Sequence, residues 1–199
     1  MRKTAHREIE VKIRMEDLRL VRSQLRKLGF RVLHPRSFED NVLYDTPDGA
    51  FRNARSIIRL RQYGSCWTLG YKGAPARDPH YKSRTEWETE VAQPEVLRAI
   101  FAALGLQPAF RYQKYRTEYA RVDSTSRRNT GGKVVVDETP IGNFLELEGS
   151  RAWIDRTARQ LGYTRAAYET ASYGTLYQKA CRQAGRTPRD MIFSDRLHG

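Results

Sequence analysis

Charged and apolar residues alternate strictly near the start of the chain. From Glu8 to Ile13, the even positions hold Glu, Glu and Lys, and the odd positions hold Ile, Val and Ile. Successive side chains of a β-strand point to opposite faces, so the charged residues share one face and the apolar residues share the other. The segment is therefore predicted to be a strand with one wet face and one packed face.

The same alternation returns later in the chain, which makes it the property of a sheet. Acidic versions occur at 84–91 and 144–148, and basic versions occur at 57–61 and 114–119. Burying so many charges in apolar packing would cost roughly several kcal/mol each unless they were paired. The charged faces must look into water, and a closed β-barrel with a polar, charged lumen and an apolar outside covered by helices meets this requirement.

Helical periodicity between these strands supplies the covering helices, which makes the protein α+β. Apolar residues at helical spacing predict helices at 16–28, 94–104 and 151–161, and a further helix beginning at Ser172. The segments 55–63 and 66–73 are predicted to form a hairpin. The polar, glycine-containing segment 123–132 is predicted to be a loop.

Length and charge set the next limits. A chain of 199 residues can form one substantial core, and we expect one domain over residues 1–180 and a tail over residues 181–199. The formal net charge is +13, from 36 Lys and Arg against 23 Asp and Glu. Such an excess is typical of a soluble basic surface, of a nucleic-acid binder, or of a protein that binds phosphorylated small molecules.

Cysteine usage and the N-terminal segment indicate the compartment. Cys66 and Cys181 do not form a short-spaced metal motif, so we expect free thiols in a reducing cytosol. The first residues lead directly into the charged strand without an apolar segment, so export is not expected. No stretch approaches the roughly 20 apolar residues that a membrane span needs. A cytoplasmic protein without a membrane anchor is expected.

Carboxylates two residues apart recur on two of the predicted strands. Glu8 precedes Glu10 in this way, and Glu146 precedes Glu148. Any single carboxylate could form a salt bridge with a lumen cation, but neighbouring carboxylates repel each other unless a cation lies between them. Carboxylate ligands without His or Cys suit Mg²⁺ or Mn²⁺.

Lumen cations are the second chemical signal. Seven are expected on the charged faces: Lys12, Arg59, Arg61, Lys72, Arg84, Lys114 and Arg116. They exceed what the lumen carboxylates would need once metal is bound, and Arg and Lys side chains around a metal are how proteins hold a chain of phosphates. The sequence lacks the G-x-x-x-x-G-K-[ST] and G-x-G-x-x-G motifs of other phosphate sites.

Further motifs follow the opening Glu8-x-Glu10-x-Lys12 in order. They are Asn41-Val42-Leu43-Tyr44-Asp45-Thr46-Pro47, Arg59-Leu60-Arg61, Thr68-Leu69-Gly70-Tyr71-Lys72-Gly73, Arg84-x-Glu86-x-Glu88, Lys114-x-Arg116, and Asp137 followed by Gly142-Asn143-Phe144-Leu145-Glu146-Leu147-Glu148-Gly149. Together they resemble the signature of the CYTH domain superfamily, the triphosphate tunnel metalloenzymes, up to about Tyr177. The resemblance implies a closed, eight-stranded antiparallel barrel that forms a tunnel, a small-molecule triphosphate as substrate, and Mg²⁺ or Mn²⁺ as cofactor.

The resemblance also implies roles for the lumen residues. Metal is expected at Glu8, Glu10, Glu146 and Glu148, with assistance from Asp137, Glu86 and Glu88. Phosphates are expected at Arg59, Arg61, Lys72, Arg84, Lys114 and Arg116. Lys12 is expected either to orient a phosphate or to help activate the nucleophile. Lys12, Glu10 and Glu148 are thus the expected catalytic residues.

Three functions follow from these features. The first is metal-dependent hydrolysis of a small organic or inorganic triphosphate, such as ATP, thiamine triphosphate or tripolyphosphate. The second is cyclisation of ATP to cyclic AMP and pyrophosphate, because the segment 142–149 resembles the class IV adenylate cyclase-like branch. The third is non-catalytic binding of RNA or polyphosphate, which the carboxylate pairs disfavour because they would repel a metal-free polyanion. A nucleic-acid partner is therefore not expected, and the chain is expected to act as a monomer or a homodimer.

Overall fold

A closed antiparallel barrel of eight strands forms the body of the protein. A computed structural model describes residues 6–122 and 129–194. The strands are β1 (His6–Met15), β2 (Arg31–Asp45), β3 (Ile57–Tyr63), β4 (Cys66–Lys72), β5 (Lys82–Glu90), β6 (Gln107–Val122), β7 (Asn129–Thr139) and β8 (Gly142–Gly149). They close in the order β1-β5-β4-β3-β2-β6-β7-β8. The predicted α+β barrel of eight strands is confirmed.

The described residues form five α-helices, of which four follow the predicted periodicity. They are α1 (Leu18–Lys27), α2 (Ala50–Asn53), α3 (Pro94–Ala103), α4 (Arg151–Gln160) and α5 (Tyr173–Gln183), and α2 is the one that was not predicted. The side chain of Asp17 accepts hydrogen bonds from backbone N–H groups at the start of α1. The side chain of Ser150 does the same for α4. These caps satisfy donors that a helix start leaves unpaired.

The apolar faces of the strands lie outside the barrel, where helices cover them. Helices α1 and α4 pack over β1, β7 and β8, and fully buried Val11 and Leu147 belong to this core. Helix α3 packs over β2, β3 and β4 through Phe101 and Leu97. Burial of each large apolar side chain contributes roughly 1.5–3 kcal/mol. Coverage is incomplete, because Trp87 on β5 keeps 51% of its surface exposed.

The predicted loop at 123–132 is partly wrong. Residues 129–132 belong to β7, and residues 123–128 lie outside the described residues. A side chain at Gly132 would place its Cβ 2.5 Å from the ring of Trp153 on α4. The glycines that indicated a loop therefore allow a strand to run directly under a helix.

The C-terminal part of the described chain closes one end of the barrel. Strand β1 pairs with β5 only as far as Glu10. Beyond that point the backbone of Lys12 pairs with Glu169, with N···O distances of 3.0 and 2.8 Å. Helix α5 follows, and buried Met191 pairs with the backbone of β6. The division of the chain at residue 180 stays a prediction, and α5 runs across it.

Two further observations concern the cysteines and the helices. Cys66 is exposed, Cys181 is buried, and both are free thiols, as predicted. Among the helices of the described residues, none is long and apolar enough to cross a membrane.

Candidate active site in the barrel lumen

The strands bring the predicted site residues together inside the barrel. A cavity of about 520 Å³ runs through the lumen and is lined by all of these residues except Asp137. Asp137 is fully buried and contacts three of the lining residues, Lys114, Arg116 and Tyr173. The side chains that strand alternation assigned to the charged faces therefore line the lumen, and their roles stay predictions.

Three carboxylates gather where β1 and β8 meet. Glu10 lies directly across from Glu148, and Glu8 lies two residues earlier on β1. One oxygen from each of the three lies within 4.8 Å of the others. Oxygen donors at this spacing fit a hard divalent cation such as Mg²⁺ or Mn²⁺, which would cancel their mutual repulsion.

The electrostatics of Glu148 agree with a missing positive charge. Burial raises the pKa of Glu148 to about 7, Lys133 counteracts this rise, and Glu8 adds to it. The Nζ atom of Lys133 lies 3.0 Å from the Glu148 carboxylate. One ammonium therefore does not offset the burial and crowding of this group, whereas a divalent cation would hold it ionised.

The other predicted metal ligands lie outside this cluster and contact cations. Glu146 lies 3.1 Å from Lys12 and 2.6 Å from Arg116. Glu86 lies 2.5 Å from Lys72. Glu88 lies 3.3 Å from Arg59 and 2.8 Å from Arg61. Asp137 accepts hydrogen bonds from Lys114, Arg116 and Tyr173.

Four charged lumen residues were missing from the prediction. Lys82 lies 2.5 Å from Glu10. Lys133 lies near both Glu148 and Glu118. Glu39 is fully buried between Lys114 and Arg116, at 3.5 and 3.7 Å. The signal was available, because each of the four lies two or four residues from a predicted lumen residue or from the Asn41 motif on its own strand.

Among the described residues, acidic and basic residues are equally numerous in the lumen. Nine acidic residues line the cavity or lie against it: Glu8, Glu10, Glu39, Glu86, Glu88, Glu118, Asp137, Glu146 and Glu148. Nine basic residues do so as well: Lys12, Arg59, Arg61, Lys72, Lys82, Arg84, Lys114, Arg116 and Lys133. A metal held by three carboxylates would displace their present partners, including Lys72, Lys82 and Lys133. Those cations would then be available to an anion.

One lumen cation is incompletely hydrogen-bonded. Arg84 is 8% exposed, and its Nε and Nη1 atoms have no hydrogen-bond partner. It faces Glu8 across β1 and β5, beside the carboxylate cluster. The Nε of Arg59 is unpaired as well. Burial lowers the pKa of Arg84, and Glu10, Glu86 and Glu8 offset this effect only in part. Buried donors without hydrogen bonds are costly, so these nitrogen atoms could serve a bound anion.

The character of the lumen changes toward the end closed by α5. There the cavity is lined by Leu43, Ile57, Phe110 and Tyr112, together with Gly174 at the start of α5. Phe110 and Tyr112 stack with ring centroids 5.9 Å apart. The tunnel therefore has a charged part around the three carboxylates and an apolar, aromatic part beyond Arg59.

Comparisons with known proteins agree with this geometry. A family model described as the CYTH domain matches residues 6–173. A protein of Methanocaldococcus jannaschii named "Putative adenylate cyclase MJ0240" is 31% identical over 143 residues, which are 72% of this chain and 77% of that protein.

Solved structures share the fold at low sequence identity. A "putative adenylate cyclase" from Vibrio parahaemolyticus has a TM-score of 0.74 at 16% identity and covers 87% of this chain and 98% of its own. A "putative adenylyl cyclase" from Hippeastrum, described with a dominant triphosphatase activity, has a TM-score of 0.58 at 17% identity, with coverage of 91% and 97%.

Proposed function

This chain belongs to the CYTH domain family, and on that premise we propose that its tunnel is the active site of a metal-dependent enzyme acting on a triphosphate. The observation that carries the proposal is the position of Arg84, whose Nε and Nη1 have no hydrogen-bond partner, beside the cluster of Glu8, Glu10 and Glu148. A carboxylate cluster attracts a metal and an unpaired guanidinium attracts an anion, so their proximity fits a metal-bound phosphate chain.

The residues divide into two groups by their contacts. Glu8, Glu10 and Glu148 would hold Mg²⁺ or Mn²⁺, which when bound polarises phosphoryl oxygens and lowers the pKa of water. Six cations would hold the phosphates: Arg59, Arg61, Lys72, Arg84, Lys114 and Arg116. Glu146, Glu86 and Glu88 contact these cations and orient them. We therefore propose that these three carboxylates orient cations and are not metal ligands.

Lys12 is assigned to phosphate orientation. Burial alone would lower the pKa of Lys12, but Glu10 and Glu146 outweigh burial and hold it above its ordinary value. Its Nζ lies 3.0 Å from Glu10 and 3.1 Å from Glu146. An ammonium stabilised in this way keeps its proton, which suits a fixed positive charge and not a general base.

Hydrolysis is the proposed reaction, and an organic triphosphate is the proposed substrate. Hydrolysis requires only that water reach the phosphate chain, whereas cyclisation also requires a ribose held in line with the α-phosphorus. The apolar end formed by Leu43, Ile57 and Phe110 offers contacts to an organic group that tripolyphosphate lacks. A cavity of about 520 Å³ falls in the size range of pockets for small organic ligands. Cyclisation of ATP is the second candidate, because the same wall could hold an adenosine.

The proposal is tested by product analysis. ATP, thiamine triphosphate and tripolyphosphate are each incubated with the protein and Mg²⁺ or Mn²⁺, and we expect phosphate release from at least one organic triphosphate. Cyclic AMP and pyrophosphate from ATP, with the other two substrates intact, would replace hydrolysis by cyclisation. No turnover, together with polyanion binding that survives chelation and falls steeply with salt, would identify a non-catalytic binder.

Replacement of Phe110 by Ala tests the choice of substrate. We expect Phe110→Ala to lower kcat/KM for an organic triphosphate by about tenfold, because a lost aromatic contact costs on the order of 1 kcal/mol or more. The kcat/KM for tripolyphosphate should change little. The matched control is Phe38→Ala on the outer face, where Phe38 is 40% exposed. An equal loss of kcat/KM with organic triphosphates and with tripolyphosphate would show that the organic group of the substrate does not bind at this end of the tunnel.

A further inference from the structure

The buried carboxylate of Asp137 and the hydroxyl of Tyr173 form a unit that the proposed function does not use. We propose that Tyr173 and Asp137 are positioning residues that hold Lys114 and Arg116 for phosphate binding, and that Asp137 is not a metal ligand. Helix α5, which carries Tyr173, would then complete the phosphate-binding wall as well as closing the barrel. This inference rests on the proposed function of the tunnel.

The carboxylate of Asp137 accepts four hydrogen bonds, three of them at Oδ2. Its Oδ1 accepts from Nε of Arg116 at 2.8 Å. Its Oδ2 accepts from Nη2 of Arg116 at 2.7 Å, from Nζ of Lys114 at 2.9 Å and from the hydroxyl of Tyr173 at 2.8 Å. Each carboxylate oxygen offers about two acceptor sites, so the three donors at Oδ2 more than fill that oxygen, and Oδ1 accepts one bond from Arg116. A metal at Oδ2 could bind only by displacing a donor, and a metal at Oδ1 would lie against the guanidinium of Arg116.

The surroundings of Asp137 also disfavour a metal. Asp137 is fully buried and does not belong to the group of Glu8, Glu10 and Glu148. Arg116 bridges Asp137 to Glu146, with Nη2 2.6 Å from the Glu146 carboxylate. The nearest charges to Asp137 are therefore cations, which repel a divalent ion. In contrast, a bidentate guanidinium held on one side presents a fixed edge to the lumen on the other.

The ring of Tyr173 lies close to two of the lumen lysines. Its centroid is 5.2 Å from Nζ of Lys12 and 5.2 Å from Nζ of Lys114. The edge of Phe144 packs against the same ring, with centroids 5.3 Å apart. Tyr173 thus fixes Lys114 in two ways, through the ring face and through the shared carboxylate. A Tyr173→Phe substitution removes the hydroxyl bond to Asp137 and keeps the ring contact with Lys114, so it tests the two contacts separately.

The experiment compares two tyrosines on one helix. Tyr173→Phe removes the bond to Asp137, and the control Tyr177→Phe removes a bond of similar length, 3.1 Å, to the backbone carbonyl of Asp190. Calorimetry measures binding of Mn²⁺ alone, and then of tripolyphosphate at saturating Mn²⁺. We expect Tyr173→Phe to weaken tripolyphosphate binding about tenfold, as for a lost bond to a charged group, and to leave Mn²⁺ binding unchanged. Tyr177→Phe should change neither.

A second variant covers the role of Asp137 itself. Asp137→Asn is expected to weaken tripolyphosphate binding more than Tyr173→Phe and to keep the wild-type affinity for Mn²⁺. Weaker Mn²⁺ binding by either variant would overturn the inference, because it would make Asp137 a ligand. Unchanged tripolyphosphate binding by Tyr173→Phe would overturn it while the proposed function stands. Absence of tripolyphosphate binding by the wild-type protein would overturn both.

Discussion

Glu148→Gln is expected to abolish metal-dependent turnover while the barrel stays folded. The substitution keeps the shape of the side chain and removes one of the three charges that gather within 4.8 Å. A bound metal supplies roughly several kcal/mol of transition-state stabilisation, so losing a ligand is expected to lower kcat at least about 100-fold. Steady-state kinetics over a range of Mn²⁺ concentrations measure the loss of turnover. Thermal melts measure whether the barrel stays folded.

The matched control is Glu118→Gln. Glu118 also lines the lumen and lies 3.6 Å from Lys133, but it is outside the carboxylate cluster. We expect this variant to retain most of the activity and to bind Mn²⁺ as the wild-type protein does. Near-normal turnover by Glu148→Gln at saturating Mn²⁺ would show that the metal lies elsewhere.

The pH dependence of Mn²⁺ binding tests the same site. Burial, with the charge of Glu8, raises the pKa of Glu148 to about 7 against the effect of Lys133. A proton and a metal compete for the same carboxylate, so Mn²⁺ affinity should rise as the pH increases through about 7 and then level off. In Glu148→Gln this rise should be lost, because the amide does not titrate in this range.

Arg84→Met is expected to have opposite effects on activity and on stability. The unpaired Nε and Nη1 atoms of Arg84 should bind phosphate, and a hydrogen bond to a charged group contributes roughly 1.5–3 kcal/mol. The variant should therefore raise KM for the triphosphate about 10- to 150-fold. Burial lowers the pKa of Arg84 despite the nearby Glu10, Glu86 and Glu8, so the buried cation destabilises the free protein and Met at this position should raise the Tm.

Arg61→Met provides the comparison for stability. Arg61 donates hydrogen bonds to Glu88 at 2.8 Å and to Thr68 at 3.1 Å, so its removal leaves Glu88 with fewer partners. We expect this variant also to bind the triphosphate weakly but to have a lower Tm. A fall in Tm for Arg84→Met of the same size as for Arg61→Met would mean that Arg84 is a structural residue with partners of its own.

The side-chain faces could be predicted from the sequence because the period of a strand does not vary. Glu8, Arg59 and Glu146 lie on different strands, and alternation alone places each of them in the lumen. The partners could not be predicted in the same way, since they depend on strand order and on register around the closed barrel. Register decides, for example, that Glu86 lies across from Lys72, where it also contacts Glu8, and that Glu88 lies across from Gly70.

The closing of the barrel by α5 was also beyond the sequence. Periodicity indicated a helix after Ser172, but the same apolar pattern would suit a helix on the outside. The choice depends on the gap left where β1 stops pairing with β5 and Lys12 pairs with Glu169 instead. The gap arises because β1 pairs with β5 over a shorter segment than it has available. The length of such a pairing cannot be predicted from a local sequence pattern.

The balance of nine acidic and nine basic residues in the lumen has a consequence for how substrate enters. The net charge of +13 lies elsewhere in the molecule, so the basic surface attracts a polyanion at long range, whereas the wall of the tunnel adds little net attraction of its own. A triphosphate that arrives together with divalent counter-ions brings little net charge of its own, and it can exchange its ion pairs for those of the wall one by one. The tunnel would thus select the neutralised salt of the substrate, and the concentration of free divalent ions would govern its occupancy.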